Sequence, residues 1–77
     1  MTKRKLINKK AYEEMELLKK LVKNDELNTF IVSIQIGEDG NELFIIDHYF
    51  DDEWTAKIVG ENYTEISKRI IRYSSKL

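Results

Sequence analysis

Apolar residues recur at Ala11, Met15, Leu18 and Val22, at spacings of four, three and four, and Leu17 and Leu21 widen the stripe. An α-helix turns about 100° per residue, so these positions share one side and the spacing predicts an amphipathic helix. Asn8 suits its N-cap and Asn24-Asp25 its stop, because short polar side chains satisfy the orphan groups of a helix end and compete with its continuation. The period then changes. Over 29–36, Phe30, Val32, Ile34 and Ile36 alternate with Thr29, Ser33 and Gln35, the period of two of a half-buried strand rich in β-branched residues. Gly37-Glu38-Asp39-Gly40-Asn41 predicts a hairpin turn, since Asp-Gly supplies the positive φ that tight turns demand.

The return strand, 42–50, is apolar on both sides. Phe44, Ile46 and Phe50 share one face with His48, and Leu43, Ile45 and Tyr49 share the other with Asp47, as expected of a strand central to its sheet. Asp51-Asp52-Glu53 turns the chain into a shorter third strand, 54–59, which Gly60 breaks. Asn62 with Glu65 three residues on matches a capping box. Tyr63, Ile66, Ile70, Tyr73 and Leu77 form the apolar stripe of a second helix. The order is α-β-β-β-α in a single domain over 1–77, with 1–7 as a disordered basic arm. Short connections favour an α+β fold, a three-stranded antiparallel meander with two helices on one face. A two- or four-residue first turn would set the odd positions of the middle strand on the Phe30 face, and a three-residue turn the even ones. Phe44, Ile46 and Phe50 fill a small core better and are expected inside. The other face is then short of cover, to be shielded by Ile31 and long side chains or to serve a homodimer or another partner.

Net charge is only −1, but its distribution changes the picture. Residues 1–23 carry +5, residues 24–65 carry −10, and residues 66–77 carry +4. Glu38, Asp39, Glu42, Asp47, Asp51, Asp52 and Glu53 fall within sixteen residues that hold no Lys or Arg. Such carboxylates can keep sheet edges soluble. They can also form an acidic surface that mimics a nucleic-acid backbone and occupies the basic groove of a protein partner. These seven residues, with Tyr49 and Trp54 as aromatic anchors, are the candidate partner-binding set.

Several chemistries lose their footing. There is no cysteine, and His48 is the only histidine, which leaves no disulfide framework and no structural zinc site. Asp51-Asp52-Glu53 and Asp39-Gly40-Asn41-Glu42 lack the ligand spacing of a calcium loop, and the three glycines form no phosphate-cradling motif. No catalytic residue, metal or cofactor is assigned, and a non-enzymatic protein is expected. No apolar run reaches the roughly 18 residues of a membrane span, and the basic start lacks the apolar stretch of a secretion signal. A cytoplasmic protein of a bacterial host is expected, and the Lys/Ile/Asn-rich usage fits a low-GC bacterium or its phage.

The stretch Asp39-Gly40-Asn41-Glu42-Leu43-Phe44-Ile45-Ile46 resembles the acidic hairpins of small phage-encoded inhibitors of host nucleic-acid enzymes, anti-CRISPR proteins among them. That resemblance implies a phage or mobile-element inhibitor acting through protein–protein contact. The element order is also that of double-stranded-RNA-binding domains, which bind through the first helix, the first hairpin loop and a lysine cluster opening the second helix. Here the loop is Glu38-Asp39-Gly40-Asn41 and the second helix opens Glu61-Asn62-Tyr63-Thr64-Glu65, so two of those elements would repel phosphate. The alternatives are a nucleic-acid-binding module using the basic helices, through Lys3, Arg4, Lys5, Lys9, Lys10, Lys19, Lys20 and Lys23 on the first, and a small homodimeric regulator.

Overall fold

The computed structural model describes residues 9–77; the N-cap expected at Asn8 and the arm expected over 1–7 lie outside the described residues. The order is α1 (Lys9–Leu21), β1 (Asn28–Ile36), β2 (Glu42–Phe50), β3 (Glu53–Gly60) and α2 (Tyr63–Ser74). The strands form one antiparallel sheet in the order β1-β2-β3. Ala11 and Leu18 of α1 and Ile66 and Ile70 of α2 join one core with Phe30, Val32, Phe44, Ile46 and Ile58. Both helices therefore cover the same face of the sheet, the even-numbered one. The architecture is the α+β meander expected from the pattern.

The first turn decides that parity. Gly37 N–H donates to Asn41 O at 2.8 Å, and Gly40 N–H to Gly37 O at 2.9 Å. Gly40 sits at φ 85°, so Glu38, Asp39 and Gly40 make a three-residue hairpin loop, a type I turn followed by a left-handed residue. An odd loop pairs even with even, setting Phe30 opposite His48, Val32 opposite Ile46 and Ile34 opposite Phe44. Burying one such aliphatic side chain contributes about 1.5–3 kcal/mol, so the parity is strongly held.

Three expectations need correction. Phe50 has the inward parity but is 47% exposed, because it lies at the last position of β2, and His48 takes the last covered place. Leu77 lies beyond the end of α2 and is exposed. Leu17 and Leu21 are exposed on a flank of α1, while Met15 and Val22 pack against the core. Trp54, to which the sequence pattern assigned no face, lies on the helix-free side opposite Tyr49. The β2–β3 register passes from His48 opposite Ala56 to Tyr49 opposite Trp54, which leaves Thr55 as an extra residue. A bulge of this kind reverses the facing of whatever follows it.

The connections are held locally. Asn24 Oδ1 accepts the Phe30 N–H at 2.7 Å, and Asp25 Oδ1 accepts those of Leu27 and Asn28 at 2.9 and 2.7 Å. Asn62 Oδ1 caps α2 by accepting from Glu65 N–H at 2.8 Å. Glu65 Oε1 returns to the N–H of Glu61 at 3.1 Å, one residue further back than the usual reciprocal cap.

Gly60 brings β3 and α2 together. A Cβ there would lie 2.7–2.9 Å from Ile66 Cβ, N and Cα, and backbone atoms cannot rotate away. Gly60→Ala is expected to cost about 2 kcal/mol or more, read as a lower urea midpoint. The β2–β3 turn points the other way. Asp51 and Asp52 sit at φ 51° and 66°, the left-handed pair of a type I′ turn, where glycine carries no penalty at the second place. Asp52→Gly should raise the melting temperature by roughly 2–4 °C, measured by circular dichroism.

Candidate functional site

Among the described residues His48 is the most buried polar one, 1% exposed, and its surroundings explain why. Its ring stacks on Phe30 with centroids 4.4 Å apart and an interplanar angle of 9°, and it meets Tyr73 edge-on. Nε2 lies 2.8 Å from Asn28 Oδ1, and Nδ1 lies 2.6 Å from the Tyr73 hydroxyl. An amide oxygen only accepts, so Nε2 carries the proton, and bare Nδ1 accepts from the Tyr73 O–H. Asn28 is oriented in turn by donating from Nδ2 to both oxygens of Asp25, at 3.3 Å each. The chain Asp25–Asn28–His48–Tyr73 thus ties the α1–β1 connection, β1, β2 and α2 together. With both ring nitrogens engaged and the ring enclosed, the histidine braces the fold and offers no nitrogen to a substrate.

The opposite face of the sheet carries no helix. Along β2 it presents Leu43, Ile45, Asp47 and Tyr49, flanked by Ile31, Ser33 and Gln35 of β1 and by Trp54, Lys57 and Val59 of β3. Ile45 is only 8% exposed between Ser33 and Val59, and Leu43 and Tyr49 are half-buried, whereas Ile31 and Trp54 are exposed. Neighbouring side chains therefore shield the centre of this face but not its β1 flank or its Trp54 end. The indole Nε1–H of Trp54 donates to Asp47 Oδ1 at 3.0 Å, which fixes the ring across the β2–β3 seam beside Tyr49. The sequence pattern named Tyr49 and Trp54 together without giving Trp54 a face, and their pairing rests on the bulge at Thr55.

The expected partner-binding residues fall into two groups. Asp47, Tyr49, Asp51, Asp52, Glu53 and Trp54 gather toward the β2–β3 turn. Glu38, Asp39 and Glu42 lie at the other hairpin, about 26 Å away along β2 at 3.3 Å per residue. There Asp39 and Glu42 line a cleft of about 690 Å³ with Lys10, Glu14 and Glu61. Asp39 Oδ1 accepts from Asn41 N–H at 3.0 Å, and Asp39 and Glu42 are both engaged in further interactions. Two ion pairs, Lys19–Glu16 at 2.8 Å and Arg69–Glu65 at 3.4 Å, each lie within one helix. Neither draws on a carboxylate between 38 and 53. Asp51, Asp52 and Glu53 are all exposed.

Among the described residues no three His, Asp or Glu side chains gather as a metal site, and no helix is long and apolar enough to cross a membrane. Charge is layered. Lys9, Lys10, Lys19, Lys20, Lys68, Arg69 and Arg72 are exposed on the helices, and the acidic turns belong to the sheet. Set against protein-family models, curated proteins and solved structures, the chain has no match.

Burial lowers the pKa of His48 below the ordinary 6.5, opposed by the nearby Asp25 carboxylate. The unfolded chain therefore binds the proton more readily, and stability present above pH 6.5 falls as pH drops through that value toward the folded pKa. The slope can reach about 1.4 kcal/mol per pH unit. Hydrogen bonds from Asn28 and Leu27 hold Asp25 below its usual 3.8, so its loss comes in a separate, more acidic window. Thermal melts of the native chain between pH 7.5 and 5 are expected to fall in midpoint. His48→Gln, less stable at neutral pH, should flatten that dependence.

Proposed function

We propose that this protein is a non-enzymatic binding module that docks its helix-free sheet face and acidic β2–β3 turn onto a basic groove of a nucleic-acid-handling protein. The observation that carries the reading is the position of Trp54, 55% exposed, held by Asp47 and set beside Tyr49 next to Asp51, Asp52 and Glu53. A rigid aromatic pair loses little conformational entropy on docking and suits the centre of an interface. Carboxylates at its rim steer a cationic partner and set a salt-dependent association rate. The partner's groove is by this reading its nucleic-acid path, so occupancy inhibits it, in the manner of the phage-encoded inhibitors whose acidic hairpins the stretch 39–46, at the other end of β2, resembles. The carboxylates of the far hairpin, about 26 Å off, would extend the contact only on a partner that spans the whole sheet.

The test removes charge without disturbing the turn. Asparagine tolerates the left-handed region, so Asp51→Asn/Asp52→Asn/Glu53→Gln keeps the backbone while removing three charges. The tagged native chain should capture a nucleic-acid-binding protein from a low-GC bacterial lysate at about 0.1 M salt and release it as salt rises. The same chain should displace nucleic acid from that protein in a gel shift. The triple variant and Trp54→Ala should each weaken capture by roughly tenfold while their circular dichroism stays native. Capture indifferent to both variants would sink the reading.

A further inference from the structure

The two edges of the sheet are not equally closed. In an antiparallel pair only alternate residues of a strand exchange backbone bonds with the neighbour, and an edge strand turns the N–H and C=O of the others outward. Asp51 N–H donates to Leu27 O and Gly37 N–H to Asn41 O. The odd-numbered residues of β1 therefore face β2, and the even-numbered ones face the open edge. The first two outward amides are capped, since Asp25 Oδ1 accepts from Asn28 N–H at 2.7 Å and Asn24 Oδ1 from Phe30 N–H at 2.7 Å. Among the described residues no such cap reaches Val32, Ile34 or Ile36.

The edge of β3 is different. Arg69 Nη1 donates to Val59 O at 2.7 Å, Lys57 adds a charge, and the bulge at Thr55 interrupts the ladder. A covering side chain, a charge and a bulge are the means by which sheet edges are kept from pairing. β1 has none of them over 31–36. No Asp, Glu, Lys or Arg occurs between Leu27 and Gly37, and Ile31, beside the open edge on the helix-free face, is 50% exposed.

Two constraints select the occupant. Donors and acceptors that recur at every second residue are matched by another extended backbone, whereas a helix has already satisfied its own. A second copy of the chain would bring a matching edge but lacks the room. α1 lies over β1, and α2 lies over β3 and β2. Joining two β1 edges would set the strands about 4.8 Å apart, while the α1 helices above them need about 8–10 Å between axes. A lone strand carries no such helix and fits. Its side chains on one face would lie beside Val32, Ile34 and Ile36, under the outer flank of α1. Leu21 faces α2 across the groove it shares with Ile71. Tyr12, nine residues earlier and so half a turn around the helix, is on that outer flank and 53% exposed. These neighbours suit apolar side chains.

We propose that the edge of β1 over 32–36 binds an extended segment of a partner protein as a fourth strand, uncharged over about five residues and apolar at every second one. The contact does not rest on the partner proposed for the helix-free face, because Trp54 belongs to β3, at the other edge of the sheet.

The probe is a synthetic peptide of about nine residues that alternates valine and threonine between terminal lysines. A control peptide is N-methylated at every amide between the lysines, which removes its donors and leaves its side chains unchanged. Titration into the isotopically labelled full chain should shift the amide resonances of Val32, Ile34 and Ile36 and slow their exchange with solvent, and should leave Trp54 and Val59 unmoved. The methylated peptide should bind at least about tenfold more weakly. Ile34→Pro removes one outward N–H and no bond of the β1–β2 ladder, and should abolish the shifts while circular dichroism stays native. Absence of binding up to about 1 mM overturns the proposal. So does equal binding of the methylated peptide, a comparison made on the native chain and therefore valid even where Ile34→Pro fails to fold. A dimer in sedimentation at about 0.1 mM chain, lost in Ile34→Pro, assigns the edge to a second copy and overturns it as well.

Discussion

Two helices can cover only one face of a three-stranded sheet, and β2 is apolar on both of its faces. Everything distinctive about this molecule follows from how that shortage is resolved. The even-numbered residues are sealed beneath α1 and α2, where Ile46 is fully buried. The odd-numbered residues are shielded only by their neighbours across the strands. That partial cover suffices for Ile45 and fails for Ile31 and Trp54. The residues left open are thus a consequence of the fold's arithmetic, and their proximity to the acidic β2–β3 turn makes the open face the most informative surface on the sheet side.

A domain of 77 residues with no disulfide works near the lower limit of an independent core. It compensates with polar interactions inside that core. His48 occupies a place where an aliphatic residue would be simpler, and each of its nitrogens has a partner. An unpaired imidazole there would cost about 1–3 kcal/mol in desolvation. Satisfied, it joins three segments that are distant in sequence and forces Tyr73 to point into the core. The same economy appears at Gly60, where the absence of a side chain lets the first turn of α2 rest directly on β3.

Charge and packing are organised on the same axis. The helices that provide the cover carry most of the exposed lysines and arginines, interleaved with Glu13, Glu14, Glu16 and Glu65, and the turns of the sheet carry a cluster of carboxylates with Lys57 as a cation on β3. The ion pairs Lys19–Glu16 and Arg69–Glu65 each stay within one helix, and Asp39 and Glu42 are engaged at the first hairpin, whereas Asp51, Asp52 and Glu53 stand exposed at the other. An uneven charge distribution of this kind biases the orientation of a small protein in an electrostatic encounter.

The sequence by itself determined the five elements, their order, the capped start of α2 and the turns. Helix and strand periods are local properties of side chains along the backbone, and Asn62, Gly40 and the Asp-Gly pair act within a few residues of themselves. The segregation of charge was equally legible, because it is composition along the chain. The parity of β2 was readable only as a choice conditional on turn length, since the three-residue loop is a hydrogen-bonding outcome between Gly37 and Asn41. Tertiary structure alone decided the rest. The bulge at Thr55 turned Trp54 away from the helices, Phe50 fell beyond the last covered position, and His48 found Asn28 and Tyr73. It also left Leu17, Leu21 and Ile71 uncovered. Each of these depends on which segments meet in space, and periodicity along one strand or helix carries no information about the partner on the other side.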